Sequence, residues 1–176
     1  MIEALIFDLY NCLAPAMEIG TEPYGPALEA IEEADLGTLS SNALEEAIND
    51  IWSHPFDMVA NKHGFSTAMI EAGIREFAKI ETPGPLHGYG DLSFLDSFDI
   101  PLFLVTSGFR RLQESKVRAL GILDHFLEVV IDAIDEPEAR IRKKGIIKGI
   151  LDIHGFSRDR IIVVGDSQHS EIKVAE

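Results

Sequence analysis

Cysteine is nearly absent from this 176-residue chain. Cys12 stands alone, which excludes an intramolecular disulfide and leaves the fold to rest on its core. No apolar run approaches the roughly 20 residues that a membrane-spanning helix needs. Met1-Ile2-Glu3-Ala4 lacks the basic start and long apolar stretch of a secretory leader, so a cytoplasmic location is expected. Basic residues are scarce as well: 15 Lys and Arg stand against 30 Asp and Glu, for a formal charge of −15. A surface of that sign repels nucleic acid phosphates and anionic lipid, so neither is expected as a partner; the acidity serves mainly solubility. The length suffices to bury the core of one domain with a small insertion.

What is there is a series of short, uninterrupted apolar runs. Residues 2–7 form a β-branched and aromatic run closed by Asp8, too short for a good helix, and read as a buried strand. Residues 101–105 form a second, ending at Thr106-Ser107-Gly108; residues 161–164 a third, ending at Gly165-Asp166-Ser167; residues 129–131 a weaker fourth. Runs without polar alternation suit central parallel strands covered on both faces. Helical spacing fills the gaps at residues 109–120, stopping at Gly121, and 146–154, stopping at Gly155. The alternation predicts an α/β fold with a doubly wound, Rossmann-like parallel sheet. Residues 23–34, 42–52 and 67–80 read as helices, with Ser41-Asn42 and Ser66 as caps. No convincing strand lies among them, so residues 15–85 are expected to form a helical cap inserted into a core of residues 1–14 and 86–176, closed by the turn-rich stretch 83–90.

In an open α/β sheet, ligands bind outside the carboxyl ends of the strands. Three strand ends deliver Asp8, Thr106 and Asp166 to that edge, and Lys143-Lys144 precede the last helix. Any one of these acids or hydroxyls alone is as well explained by turn chemistry. The set in this order, with a lysine that turns do not need, points to a site.

Asp8-Leu9-Tyr10-Asn11-Cys12-Leu13 resembles the first motif of the haloacid dehalogenase superfamily, usually Asp-x-Asp-Gly-Thr-Leu. Val105-Thr106-Ser107-Gly108 is similar to the second, Lys143 or Lys144 to the third, and Gly165-Asp166-Ser167 with Glu171 to the fourth. The resemblance runs through the whole chain in order, and residues 15–85 match the place of the family's helical cap. It implies a hydrolase in which Asp8 is the nucleophile and forms a covalent aspartyl adduct with a small anionic, phosphorylated metabolite. It further implies that Thr106 holds the transferred group with Ser107 and Gly108 beside it, and that the lysine neutralises charge. Mg²⁺ would sit between Asp8, the Tyr10 carbonyl and Asp166. Measured back from Gly155, Lys143 fits the family offset, just before the helix, better than Lys144; Lys148 reads as solvated.

Three departures bear on the chemistry. Tyr10 stands where phosphatases of the family carry their acid/base Asp, and a phenol is a poor proton shuttle at neutral pH. Haloacid dehalogenases themselves carry Asp-x-Tyr, because halide leaves unprotonated, yet their fourth motif lacks the Gly-Asp-Ser form and they work without Mg²⁺. The resemblance thus leaves three readings: a Mg²⁺-dependent hydrolase, a metal-independent dehalogenase-type hydrolase, and a catalytically silent binding protein. Asn11-Cys12 also replaces Gly-Thr. Finally, residues 172–176 open like a helix where the family continues with that helix and a further strand; either the chain is truncated or its last sheet edge is uncovered, and an uncovered edge makes a homodimer an expected partner.

The six histidines form no spaced metal motif; His87 and His169 are the two placed near enough to the motifs to approach a substrate. Arg110 and Arg111 read equally as anion contacts or a solvated helix end. Trp52, Phe56 and Met58 read as a core stripe of the cap, and Cys12 as an inert thiol.

Overall fold

A computed structural model describes residues 1–166. Four strands, β1 (Ala4–Phe7), β2 (Leu102–Gly108), β3 (Glu128–Ala133) and β4 (Ile161–Val164), form one parallel sheet in the order β3-β2-β1-β4. Its helices are α1 (Gly25–Ala34), α2 (Ser41–Ile51), α3 (Phe56–His63), α4 (Thr67–Phe77), α5 (Arg110–Leu120) and α6 (Arg142–His154). The α/β architecture is the one expected, with α1 to α4 lying between β1 and β2 in the chain.

Side chains of β1 alternate between two cores, which is why the run is apolar throughout. Leu5 and Phe7 join Leu104, Val117, Ile122 and Phe126 on one face. Ala4 and Ile6 join Phe103, Val105, Ile146, Ile147 and Ile150 on the other, against α6. A third core, around Ile31, Phe56, Val59, Met69 and Phe77, fills the helical insertion and reaches Phe109, Leu112 and Ile134 of the sheet layer. Residue 73 of α4 is glycine where the Phe56 ring of α3 and the Ile31 side chain of α1 pack on it: a Cβ there would lie 2.9 Å from Phe56 Cε2 and 3.1 Å from Ile31 Cδ1.

Local chemistry sets the helix ends. Ser66 accepts from the Met69 N–H (3.3 Å), as its capping role predicts. Helix α2 is capped one residue earlier than expected, Ser40 accepting from the Ala43 N–H. Gly121 and Gly155 end α5 and α6 in the left-handed conformation, φ 67° and 69°. The sequence reading missed α3, a short helix opened by Pro55, and began α6 four residues late, because its first turn, Arg142 to Gly145, has no apolar residue. No helix of the described residues is long and apolar enough to cross a membrane.

Candidate active site

Strand β1 pairs with β2 on one side and β4 on the other, and chain order reverses direction across the β1–β4 pair. This is the topological switch point where open α/β sheets place their ligands. Asp8 and Asp166 follow the two strands that flank it. The Asp8 N–H donates to the Val164 carbonyl at 2.9 Å, so pairing continues to the acid itself.

Asp8 is 6% exposed. Its Oδ1 accepts from the Leu9 N–H at 2.8 Å, and its Oδ2 lies 2.9 Å from Lys143 Nζ. Lys143, the second residue of α6, is buried on the face that carries Ile146, Ile147 and Ile150, while Lys144 is exposed. A lysine in the first turn of a helix opposes the macrodipole; the Asp8 carboxylate offsets that cost. The structure thus brings Asp8 and Lys143 together and leaves Lys144 in solvent. Lys143 lies inside the first turn, whereas the sequence reading placed it before the helix.

Asp166 is exposed, and its Oδ2 accepts from Asn11 Nδ2 at 3.0 Å. Asn11 has φ 49°, a left-handed backbone that glycine and asparagine adopt most readily. Asparagine therefore meets the backbone demand at this position and adds an amide that orients Asp166. Cys12 Sγ sits 3.6 Å from the Val164 carbonyl. Ser167, His169 and Glu171 lie outside the described residues.

Thr106 is fully buried, and its Oγ1 has no hydrogen-bond partner among the described residues. An orphaned buried hydroxyl calls for an explanation. Ser107 Oγ donates instead to Asp132 Oδ2 at 3.1 Å. Gly108 is required by close approach: a Cβ there would collide with the Gln113 carboxamide.

Tyr10 is not a loose packing residue. Its hydroxyl oxygen accepts from Gln113 Nε2 (2.6 Å) and from Lys116 Nζ (2.9 Å), and Lys116 also stands 4.3 Å from the ring centroid. Burial, then Tyr24 and the Asp8 charge, push the phenol far above its ordinary range, so it stays neutral. Lys116 is 3% exposed, and burial pushes its amine down to about 7. Neither Gln113 nor Lys116 was picked out from the sequence, although both interrupt the apolar side of α5.

The Lys116 shift has a measurable consequence. Between about pH 7 and the ordinary lysine value of 10.5 the unfolded chain holds a proton that the folded chain does not. Stability therefore rises with pH across that window, and the contribution is lost as pH falls through it. In urea unfolding, Lys116→Met is expected to gain most over the native protein at pH 7 and below, the advantage shrinking toward pH 10. A difference independent of pH contradicts this.

The arginines at the start of α5 serve the scaffold. Arg110 donates to Glu136 from Nε and from Nη2, the latter at 2.7 Å, and its N–H donates to Asp135 Oδ1 at 3.0 Å; Arg111 pairs with Glu81 at 3.0 Å. His87 is exposed, its Nδ1 3.7 Å from Glu18 Oε1.

A parallel sheet with an acid–lysine pair at its switch point, and a second acid at the neighbouring strand end, defines a class of α/β enzymes that work from the carboxyl edge. The model of the haloacid dehalogenase-like hydrolases matches residues 2–176, and the chain belongs to that family. A search of curated proteins found no match. Among solved structures, a Clostridium difficile protein presented as a phosphatase shares 22% identity at a TM-score of 0.64, covering 99% of this chain and 80% of its own. The magnesium-bound YfnB of Bacillus subtilis, presented as a HAD-hydrolase, shares 15% identity at 0.60, covering 99% and 82%. A HAD-superfamily hydrolase of subfamily IA from Geobacter sulfurreducens shares 15% at 0.54, covering 99% and 81%. At these identities the likeness is one of fold.

Proposed function

We propose that this chain is a Mg²⁺-dependent hydrolase in which Asp8 forms a covalent adduct with a small phosphorylated metabolite. The observation that carries the reading is the buried Asp8–Lys143 pair, 2.9 Å apart, at the sheet's switch point. An Asp8 carboxylate oxygen attacks phosphorus as the bond to the leaving oxygen breaks. Lys143 holds the nucleophile in line and offsets charge on the attacked group. Thr106, whose hydroxyl has no partner among the described residues, is the group at the strand end suited to donate to a phosphoryl oxygen, with Ser107 and Gly108 shaping the turn. Water then cleaves the adduct.

Oxygen donors at neighbouring strand ends fit Mg²⁺, which takes few carboxylates and keeps waters. Asp8, the Tyr10 carbonyl and Asp166 would hold it, with Asn11 orienting Asp166. When bound, the ion offsets repulsion between an anionic nucleophile and an anionic substrate.

A second reading draws on Tyr10. A neutral phenol already accepting two hydrogen bonds is a poor proton shuttle, which favours a leaving group that departs unprotonated, such as halide. Turnover of a panel of phosphate monoesters and 2-haloacids, with Mg²⁺ and with a chelator, separates the two. Phosphoester hydrolysis that disappears on chelation is the expected result. Haloacid turnover that survives chelation replaces the first reading with the second, and inactivity toward both contradicts each.

A further inference from the structure

Ser107 and Phe109 flank the Gly108 turn at the end of β2, and both are tied to the start of α3 in the helical insertion. Ser107 Oγ donates to Asp132 Oδ2 at 3.1 Å. Arg140 grips Asp132 as a fork, Nε to Oδ1 at 3.0 Å and Nη2 to Oδ2 at 2.6 Å. The same guanidinium reaches across with Nη1 to Asp57 Oδ2 at 2.8 Å, an oxygen that also accepts from Arg142 Nη1 at 2.7 Å. Asp132 is 3% exposed and the Arg140 side chain 8%, so their fork acts away from water, where a bidentate pair fixes both distance and plane, while Asp57 at its outer end is partly exposed. Burial raises both carboxyls, yet their arginine partners more than offset it and hold each below the usual carboxylate range.

The second tie is apolar. Phe56, next to Asp57, lies 6.1 Å from the Phe109 ring, and Phe77 stacks on Phe109 at 5.0 Å. Beside these two ties a cavity of about 490 Å³ lies between α3, α4, the loop from Ile134 to Arg140 and Arg142 at the start of α6. The adjacent residues Phe56 and Asp57 thus hold the two sides of one turn, alongside the core that joins the insertion to Phe109, Leu112 and Ile134.

We propose that Asp57, acting through Arg140 and Asp132, is a positioning residue that makes the setting of the Thr106-Ser107-Gly108 turn depend on how the helical insertion is seated. The proposal rests on the reading of that turn as the holder of the transferred group. With Asp57 in place, the guanidinium fork pins Asp132, and Asp132 pins the Ser107 hydroxyl. With Asp57 neutral or displaced, Arg140 loses its outer anchor and Ser107 is free to change its partner.

The test uses the full chain with Mg²⁺ and orthovanadate, a mimic of the transferred phosphoryl group. Asp57→Asn is expected to weaken vanadate binding about 5-fold or more. Adding Asp57→Asn to Ser107→Ala should cost little beyond Ser107→Ala alone, because the two lie on one chain of contacts. Arg140→Lys, which keeps a charge on Asp132 but cannot span both carboxylates, should give the same loss and covers the case in which Asp57→Asn does not fold. Unchanged affinity, or strictly additive losses, overturns the proposal. If the native protein itself binds no vanadate, the functional reading of the site fails, and amide resonances decide the coupling: changes at Thr106, Ser107 and Phe109 in Asp57→Asn uphold it, and changes confined to α3 and residues 137–142 overturn it.

Discussion

Asp8→Asn is expected to remove hydrolysis, lowering kcat on the order of 10⁴-fold or more, as loss of a covalent nucleophile does elsewhere. A carboxamide oxygen does not form the adduct. The variant still accepts from the Leu9 N–H, because an amide oxygen replaces Oδ1, so the local backbone should hold. It leaves Lys143, buried beneath it at 2.9 Å, opposite a neutral group, and removing one partner of a buried pair is costly. Steady-state kinetics with a phosphate ester, alongside thermal unfolding to show that the variant is folded, checks this. Activity within 10-fold of the native protein would show that Asp8 is not the nucleophile.

Tyr10→Asp should act in the opposite direction, and its partners shape the size of the gain. A carboxyl at position 10 restores a group that can protonate a leaving oxygen, an effect of about 10²- to 10⁴-fold where the acid has a suitable pKa. In this structure it would stand near Lys116, whose amine is 2.9 Å from the phenol oxygen it replaces. A lysinium at that range keeps a carboxyl ionised and a weak acid. The single variant is therefore expected to raise phosphatase kcat by less than Tyr10→Asp with Lys116→Met, which removes the cation. No gain in either variant would count against a Mg²⁺-dependent phosphatase site lacking only its acid, and favour the halide reading.

Much of the fold could be read from sequence because strands buried on both faces are apolar without interruption. Residues 161–164 coincide with β4, and residues 101–105 cover the apolar part of β2 but stop short of its polar end, Thr106 to Gly108. Asp8, Thr106 and Asp166 stood out for the same reason: each lies at or one residue past the end of an apolar run. The pairing of Asp8 with Lys143 is not local, since 135 positions separate them, but the choice of lysine was within reach. Lys143 shares its helix face with residues three, four and seven further on, Ile146, Ile147 and Ile150, and Lys144 does not. The same phase places Gln113 and Lys116 beside Leu112 and Val117 on α5, where polar residues in an apolar stripe signalled a buried partner. Helix α3 escaped notice because it is only eight residues long, so the period Phe56, Val59, Ala60 ends at the polar Asn61, Lys62 and His63 before it can repeat. The Asp57–Arg140 contact spans 83 positions and follows from tertiary placement alone.

The central claim is that Asp8, Lys143 and Asp166 form one Mg²⁺-assisted nucleophilic site. A crystal structure of the protein grown with Mg²⁺ and beryllium fluoride tests it most directly. The account predicts a trifluoroberyllate bonded to an Asp8 carboxylate oxygen, a fluoride facing Lys143, and Mg²⁺ held by Asp8, the Tyr10 carbonyl and Asp166. A beryllium adduct on another side chain, or an Asp8 that stays unmodified while Mg²⁺ binds elsewhere, would contradict it.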